Sequence, residues 1–246
     1  MKSVAILSGG LDSMVSLALA KKETEVVLGL TFDYGQKAAS DEIKAASKIA
    51  KHYCVPHKTI ALDWLKQITK TSLVSERMQI PTVNEHDLNS KLEITRSNAK
   101  AVWVPNRNAA FVSIAASFAE SLGADLIVAG FNSEEAVTFP DNSIQFVSAC
   151  NQLLRFSTLS KPKVISYVQS YNKCGIVNTG IKLGVPFELI YSCYRAGGVP
   201  AAHLPARQGR AGKMMCGECE SCSRIKKAFR ETGNFALIKD RFPDEE

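Results

Sequence analysis

A short turn near the start of the chain constrains the fold more than any other feature. Residues 4–7 form an apolar run typical of a buried strand, and residues 8–13, which read S-G-G-L-D-S, follow it directly. Apolar residues then recur at helical spacing through residue 22. A strand, a glycine-rich turn and a helix in this order point backbone N–H groups and the positive end of a helix at one place. The pattern therefore predicts a binding site for an anion.

Apolar strands alternate with helices along much of the chain. Each predicted strand is a short, continuous apolar run, which is typical of a parallel sheet covered by helices on both faces. We therefore predict an α/β fold with a doubly wound, mostly parallel sheet. A more polar stretch at residues 63–102 is expected to cross the ligand side of this sheet. The predicted strands are residues 4–7, 26–32, 59–62 and 126–129, and the predicted helices are residues 11–22, 41–53, 109–122 and 142–154.

The composition is that of an ordinary globular protein, with 46% hydrophobic and 22% charged residues. The formal net charge of +6 fits a small anionic ligand as well as RNA, so the charge does not choose between them. No run reaches the ~18 apolar residues of a membrane span, and the start of the chain lacks the apolar stretch of a signal peptide. We expect a cytoplasmic protein with reduced cysteines and no membrane partner.

Four cysteines in the last quarter of the chain have the spacing of a metal site. Three of them form C-x2-C-x2-C, and the fourth lies upstream. Four thiolates without a histidine favour Zn²⁺ or an iron–sulfur cluster. The x3-C-P that completes a bacterial ferredoxin run is missing, and His203 is an alternative ligand. The candidate ligands are Cys193, Cys216, Cys219 and Cys222.

Four polar stretches follow predicted strands or open predicted helices. The carboxyl ends of the strands form the ligand-binding edge of an open parallel sheet, so these stretches are expected to meet there. Asn, Pro and Asp are also common in ordinary turns, which explains any one stretch more easily than all four. The stretches are F-D-Y-G-Q-K at 32–37, V-P-N-R-N at 104–108, G-F-N-S-E-E-A at 130–136 and F-P-D-N-S at 139–143.

The turn at residues 8–13 resembles the motif S-G-G-x-D-S of the PP-loop family of adenylating enzymes. Two other common phosphate loops, G-x-x-x-x-G-K-[ST] and G-x-G-x-x-G, are absent from the sequence. The resemblance implies a Rossmann-like adenine nucleotide alpha hydrolase fold. It also implies that the turn holds the pyrophosphate of ATP, which brings Mg²⁺, while a substrate oxygen attacks the α-phosphorus.

The full series of motifs is similar to the family of 7-cyano-7-deazaguanine synthases, which form a nitrile in the queuosine and 7-deazapurine pathway. The similarity covers nearly the whole chain, in order: S-G-G-x-D-S, D-Y-G-Q, V-P-x-R-N, G-x-N-x-E-E-A, L-G-V-P, S-C-Y and C-G-x-C-x-x-C. It implies that ATP activates the carboxylate of 7-carboxy-7-deazaguanine and that ammonia then gives an amide. Renewed activation with dehydration gives the nitrile. The resemblance also favours one structural Zn²⁺ and suggests a homodimer.

This resemblance assigns roles to the polar stretches. Arg107 is expected to pair with the substrate carboxylate or with charge developing on phosphate, because its planar fork suits both. Carboxylates and amides are expected to read the purine edge or to orient ammonia. The catalytic candidates are Arg107, Glu134, Glu135 and Asp141. The ATP-binding candidates are Ser8, Gly9, Gly10, Leu11, Asp12, Ser13 and Phe32, and the substrate-binding candidates are Tyr34, Gln36, Asn108, Asn132 and Asn142.

The chain is expected to have two parts. Residues 1–185 form the nucleotide-binding domain, and residues 186–246 form a C-terminal helical, zinc-binding region. The second part carries a basic insertion at residues 199–215, where the family joins its motifs by only a few residues. Residues 173–177, which read K-C-G-I-V, depart from the K-x-E-I-V of the family.

Other functions compete with this one. A different PP-loop adenylating enzyme would stop at the amide or would transfer sulfur to RNA, and the latter needs an RNA-binding appendage and a catalytic cysteine near the turn. We find neither, so we expect small-molecule substrates and no nucleic-acid partner. A non-catalytic zinc module would bind RNA or protein through its basic tail, but a solvated helix face is the simpler interpretation of that tail. Its residues are Arg224, Lys226, Lys227 and Arg230.

Overall fold

The structure is a computed structural model that describes residues 1–85, 88, 92–197 and 214–243. Its strands are β1 (Lys2–Ile6), β2 (Glu25–Asp33), β3 (His57–Ala61), β4 (Leu126–Ala129) and β5 (Lys163–Ser166). They form one sheet with the order β3-β2-β1-β4-β5, and every neighbouring pair is parallel. The predicted α/β fold with a parallel sheet is therefore confirmed.

Helices connect the strands and cover both faces of the sheet. They are α1 (Leu11–Glu23), α2 (Ala39–His52), α3 (Asp63–Ile68), α4 (Leu92–Val102), α5 (Arg107–Ser121), α6 (Ser133–Ala136), α7 (Ile144–Ser157), α8 (Lys173–Leu183) and α9 (Glu220–Glu231). The crossovers through α1 and α2 lead outward from β1 to β3, whereas the crossover through α7 leads from β4 to β5 on the other side. Because such crossovers are right-handed, α1 and α2 lie on the face opposite α7.

The strand order reverses between β1 and β4, and this reversal positions the site. β1 and β4 are neighbours in register, with Val4 opposite Ile127, and both of these residues are fully buried. The connections that leave these two strands diverge to opposite faces of the sheet, which opens a crevice at their carboxyl ends. The glycine-rich turn follows β1, and the segment that begins at Gly130 follows β4. Both therefore lie at the edge where this fold binds ligands.

The predicted strands and helices all occur, with ends shifted by a few residues. The sequence did not predict β5 and α8, nor the helices α3, α4 and α6. β5 is a short edge strand in which only Val164 is fully buried, so its apolar signal is weak. α8 contains Gly175 and Gly180, which lower intrinsic helix propensity, and its stability comes from packing against α1 and α9. The polar stretch at residues 63–102 contains α3 and α4.

The C-terminal part shares a hydrophobic core with the rest of the chain. Ile225 and Phe229 of α9 are buried, and the ring of Phe229 meets Phe187 edge to face with 5.0 Å between ring centroids. One hydrophobic cluster runs from β1 to α9, across the predicted boundary at residue 185. Residues 199–213 of the basic insertion, including His203, lie outside the described residues. Within the described residues, no helix is both long enough and apolar enough to span a membrane.

Candidate active site

The glycine-rich turn is shaped by two positions that have no room for a side chain. Gly9 has a φ of +84°, and a Cβ atom there would lie 2.6 Å from the backbone oxygen of Glu42. A Cβ atom on Gly130 would lie 2.7 Å from the backbone nitrogen of Ser13. The segment after β4 therefore packs directly against the first turn of α1. Only glycine permits this close approach of two backbones.

The turn is also held by hydroxyl groups and by a distant segment. The hydroxyls of Ser8 and Ser13 lie 3.0 Å apart, and the backbone N–H of Gly10 donates to the Ser8 oxygen at 3.3 Å. The N–H of Tyr191 donates to the backbone oxygen of Gly9 at 2.8 Å, and the N–H of Leu11 donates to the hydroxyl oxygen of Ser192 at 3.4 Å. Contacts from residues 191 and 192 thus fix the geometry of the turn.

One cavity of about 1120 Å³, including the open space at its mouth, lies at this edge of the sheet. A concave cleft at this edge of the sheet is the usual place for a small ligand in such a fold. The cavity brings together residues that the sequence places far apart. Among the predicted site residues, those that line it are Ser8, Gly10, Asp12, Ser13, Phe32, Tyr34, Arg107, Asn108, Glu135 and Asn142.

Lys173, at the start of α8, is the main residue of this cavity that the sequence analysis missed. Its side chain is buried, its Nζ contacts the carboxylate of Asp12, and the same Nζ lies 2.6 Å from Oε1 of Glu135. Burial alone would lower the pKa of Lys173, but the two carboxylates outweigh burial and raise that pKa. Lys173 is therefore a permanent positive charge inside the cavity.

The two carboxylates respond differently to their shared cation. Burial raises the pKa of Asp12 to about 6, with Lys173 opposing the rise. Burial also acts to raise the pKa of Glu135, but Lys173 outweighs it and the pKa is lowered. The oxygen Oδ1 of Asp12 is buried and has no hydrogen-bond partner among the described residues. Such an atom is typical of a site whose ligand supplies the missing partner.

A second group of charges lies behind the cavity and ties Glu134 to α9. Glu134 accepts from the backbone N–H of Lys173 at 2.9 Å and from Nη1 of Arg224 at 2.9 Å. Arg224 also pairs with Glu220 at 2.8 Å. Glu134, predicted to be catalytic, does not line the main cavity. Arg224 is only 7% exposed, so the prediction of a solvated basic face is wrong at this position because the arginine is held by two glutamates.

Arg107 enters the cavity at the first turn of α5. The preceding residue, Asn106, has a φ of +53°, which turns the chain sharply into the helix. Nη1 of Arg107 donates to the hydroxyl oxygen of Tyr34 at 3.0 Å. Burial raises the pKa of Tyr34 to about 12, so the phenol stays protonated. Burial would lower the pKa of Arg107, but Tyr34 and Asp141 outweigh it, and Arg107 stays charged.

Several predicted substrate-binding residues support the loops of the site. Asn132 is fully buried, and its Oδ1 accepts from the N–H of Glu135 at 3.0 Å, which caps α6. Nδ2 of Asn108 donates to the backbone oxygen of Asp141 at 3.2 Å. Asp141 does not line the main cavity, and burial raises its pKa. These residues connect the segment after β4 to the start of α5.

The four candidate cysteines meet in a buried cluster. Their sulfur atoms all lie within 4.8 Å of one another, and those of Cys216 and Cys222 are 3.8 Å apart. Tetrahedral zinc with Zn–S bonds of about 2.3 Å would separate its sulfurs by about 3.8 Å. Backbone N–H groups also point at the sulfurs, for example from Arg195 to Cys193 at 3.3 Å and from Glu218 to Cys216 at 3.4 Å. The cluster therefore fits one metal ion.

The cysteine cluster and the glycine-rich turn are joined by a very short segment. Tyr191 and Ser192 contact the turn, Cys193 belongs to the cluster, and Tyr194 lines the cavity. The hydroxyl of Tyr191 donates to the backbone oxygen of Arg195 at 2.8 Å, which braces this segment. A metal in the cluster would thus hold the segment that supports the turn.

Comparisons with known proteins agree with this arrangement. The sequence model of the family described as "Queuosine biosynthesis protein QueC" matches residues 2–233. A protein of Pelotomaculum thermopropionicum named 7-cyano-7-deazaguanine synthase is 51% identical over 95% of this chain and 98% of its own length. Proteins of the same name from Desulforamulus reducens and Methanosarcina mazei are 48% and 41% identical, over 95% and 98% of this chain and 95% and 96% of their own lengths.

Replacing Lys173 by methionine should destabilise the protein in a pH-dependent way. The substitution leaves Asp12 and Glu135 as partly buried carboxylates without their cation, which should cost about 3 kcal/mol of unfolding free energy at pH 7.5. The folded variant then binds protons that the unfolded chain does not bind. The loss of Lys173 raises the pKa of both carboxylates further, so the deficit relative to the parent should shrink as the pH falls from 7.5 to 5. Urea unfolding at pH 7.5 and pH 5 measures this change.

Lys182→Met is the matched control for this experiment, because Lys182 is an exposed lysine on the same helix. It should change stability by less than about 0.5 kcal/mol at either pH. A deficit of Lys173→Met that is equal at both pH values would show that Lys173 acts through packing rather than through charge.

Proposed function

Because the chain belongs to the family of queuosine biosynthesis protein QueC, we propose that it is a 7-cyano-7-deazaguanine synthase that uses ATP and ammonia to convert 7-carboxy-7-deazaguanine into the nitrile. The observation that carries this proposal is the cavity at the carboxyl ends of β1 and β4. There the glycine-rich turn, Lys173 and Arg107 face the same space beside an aromatic wall. An anion-binding turn with two fixed cations suits a reaction at a phosphate.

The turn would hold the phosphates of ATP. Backbone N–H groups at the start of α1, together with the hydroxyls of Ser8 and Ser13, are suitable donors for phosphate oxygens. Oδ1 of Asp12 is a buried carboxylate oxygen without a partner among the described residues, and such an oxygen is a typical ligand of Mg²⁺. Asp12 would therefore hold the Mg²⁺ that accompanies the nucleotide, and the ion would neutralise phosphate charge.

The chemistry proceeds through two activations by ATP. A carboxylate oxygen of the substrate attacks the α-phosphorus, pyrophosphate leaves, and the product is a mixed anhydride with AMP. Ammonia attacks the acyl carbon, AMP leaves with the oxygen, and the amide forms with loss of a proton. The amide oxygen then attacks the α-phosphorus of a second ATP. Loss of AMP and of the two remaining nitrogen-bound protons gives the nitrile.

The residues of the cavity have distinct parts in these steps. Lys173 and Arg107 are fixed positive charges that stabilise the negative charge developing on the α-phosphate. Glu135 lies next to Lys173 and is ionised, so it is suited to orient ammonia and to accept its protons. Asn108 and Asn142 line the cavity and would contact the substrate ring.

The competing functions are less well supported by this cavity. A sulfur-transferring enzyme needs a reactive thiol near the turn, and no cysteine is among the described residues that line the cavity. The relatives that match over the full chain are named as synthases of the nitrile, which argues against an enzyme that stops at the amide. The homodimer and the cytoplasmic location stay predictions.

Product analysis with oxygen-18 tests the proposed function directly. The purified protein is incubated with ATP, Mg²⁺, ammonium and 7-carboxy-7-deazaguanine labelled in both carboxylate oxygens. Mass spectrometry should detect the nitrile and AMP that carries one labelled oxygen per molecule, because each activation transfers one substrate oxygen to phosphorus. An amide as the final product, or label in inorganic phosphate, would contradict the proposed reaction.

Replacing Arg107 by lysine should lower kcat/KM at least about 100-fold without unfolding the protein, because lysine lacks the planar fork that contacts two oxygens at once. Arg155→Lys on the exposed surface of α7 is the matched control and should keep normal kinetics. Near-normal turnover of Arg107→Lys would remove Arg107 from the reaction site.

Zinc is the metal proposed for the cysteine cluster. Four thiolates at tetrahedral separation are the preferred ligands of structural Zn²⁺. Cys219→Ser should lose the metal, reduce solubility and weaken ATP binding, because the segment at residues 191–194 loses its anchor. Metal content by mass spectrometry and binding of a non-hydrolysable ATP analogue by calorimetry measure these effects.

Cys54→Ser, which changes an exposed cysteine outside the cluster, is the control and should behave like the parent. A folded, metal-free and active Cys219→Ser protein would rule out a structural zinc.

A further inference from the structure

Three carboxylates line the main cavity within the described part of the chain: Asp12, Glu42 and Glu135. Lys173 forms ion pairs with Asp12 and Glu135. No lysine or arginine among the described residues forms an ion pair with Glu42. A carboxylate that faces a cavity without an ion-pair partner needs hydrogen-bond donors, and a bound ligand is their natural source.

The side chain of Gln36 fixes how Glu42 is presented. Oε1 of Gln36 accepts from the N–H of Tyr34 at 3.0 Å, and its Nε2 donates to the backbone oxygen of Phe32 at 3.1 Å. The same Nε2 donates to Oε2 of Glu42 at 2.8 Å. The contacts with Tyr34 and Phe32 fix the orientation of the Gln36 amide, so its N–H group faces Glu42. Glu42 therefore accepts this hydrogen bond. Its remaining lone pairs are open to a ligand.

An aromatic wall lies in the same cavity as Glu42. The rings of Phe32 and Phe111 stack with 4.1 Å between centroids and 10° between planes, and Tyr34 lies against Phe111 at 5.7 Å. Both phenylalanines line the cavity, and the wall they form, although Phe32 is predicted to bind ATP, is equally open to the ring of the substrate. A flat apolar wall beside a carboxylate suits a planar heteroaromatic ring whose edge carries N–H donors.

Burial raises the pKa of Glu42 to about 7, while Gln36 and Arg107 act to lower it and Asp33 and Asp41 act to raise it. The ionised form of Glu42 is therefore poorly solvated before a ligand binds. Two N–H donors from a ligand would stabilise this form, since hydrogen bonds to an ionised carboxylate are stronger than those between neutral groups.

The other carboxylates expected to read the purine edge are less suited to it. Glu134 accepts from Arg224 and from the backbone of Lys173 and does not line the cavity. Glu135 is held by Lys173. Asp141 does not line the main cavity either. Glu42, which no sequence motif singled out, is the carboxylate left for this task.

We infer that Glu42 recognises the N1–H and the 2-amino group of the guanine-type ring of the substrate. Glu42 thereby determines that the substrate ring, and not the adenine of ATP, lies against the aromatic wall. The inference rests on the proposed function, since it assigns a specificity residue to that reaction. A guanine-type edge presents two adjacent N–H donors, which match the two oxygens of a carboxylate. The edge of adenine presents the acceptor N1, which an ionised carboxylate repels. Glu42 would therefore distinguish the substrate from the base of ATP.

A comparison of two ligands with two proteins tests this inference. Calorimetry measures the Kd of 7-carboxy-7-deazaguanine and of 7-carboxy-7-deazahypoxanthine, which lacks the 2-amino group, for the parent and for Glu42→Gln. The parent should prefer the guanine-type ligand roughly 30-fold, because the analogue loses a charge-assisted hydrogen bond. In Glu42→Gln the preference should fall to within about threefold, because glutamine offers one acceptor and one donor.

The Kd of a non-hydrolysable ATP analogue should stay within about threefold of the parent value in Glu42→Gln. Glu25→Gln is the matched control, because Glu25 is exposed at the opposite end of β2. It should leave all three affinities unchanged.

Each other outcome overturns the inference in a distinct way. If Glu42→Gln keeps the preference for the 2-amino group, Glu42 does not read that edge. If ATP affinity falls while the preference persists, Glu42 serves the nucleotide. The two ligands are also compared on the parent protein, so the test does not depend on how well the Glu42→Gln variant folds. A parent that binds both ligands equally contradicts the inference. A parent that binds neither ligand contradicts the proposed function itself.

Discussion

The contact of Lys173 with Asp12 and Glu135 is the interaction on which the rest of the site depends. It joins the first turn of α1, the short helix α6 and the start of α8, which are far apart in the chain. A single buried charge on any of these elements would be costly, but one cation shared by two carboxylates leaves only a modest imbalance. The site can therefore hold fixed charges at its centre while the sheet beneath it remains apolar.

The cysteine cluster is a second constraint on the site, because the residues on both sides of Cys193 contact the turn or the cavity. Tyr191 and Ser192 contact the glycine-rich turn, and Tyr194 reaches the cavity, on either side of Cys193. Behind this segment, Arg224 binds Glu134 and Glu220 and connects α9 to the segment after β4. The C-terminal part thus supports the sheet through backbone and charge contacts, in addition to the hydrophobic cluster that extends through both.

Much of this structure could be predicted from the sequence because its signals are local. Continuous apolar runs predicted β1 to β4, and the motifs and the cysteine spacing predicted many of the residues that meet in the cavity and in the cysteine cluster. Lys173 and Glu42 could not be found in this way, because a lone charged residue on a helix usually faces solvent. Their roles depend on tertiary contacts: Lys173 on carboxylates 161 and 38 residues away, and Glu42 on the orientation of Gln36. The burial of Arg224 was also not predicted, because it depends on contacts with Glu134 and Glu220.

The contacts of the glycine-rich turn also have a consequence for the synthesis of the protein. Residues 8–13 are synthesised long before Tyr191 and Ser192, whose groups contact the turn from more than 180 positions later in the chain. The glycines make the turn flexible until those groups arrive. A nascent chain can pair β1 with β2 early, but the turn gains these contacts only after residues 191 and 192 have been translated. The final shape of the turn is therefore a late property of the growing chain, and a chain that ends before residue 191 would lack it.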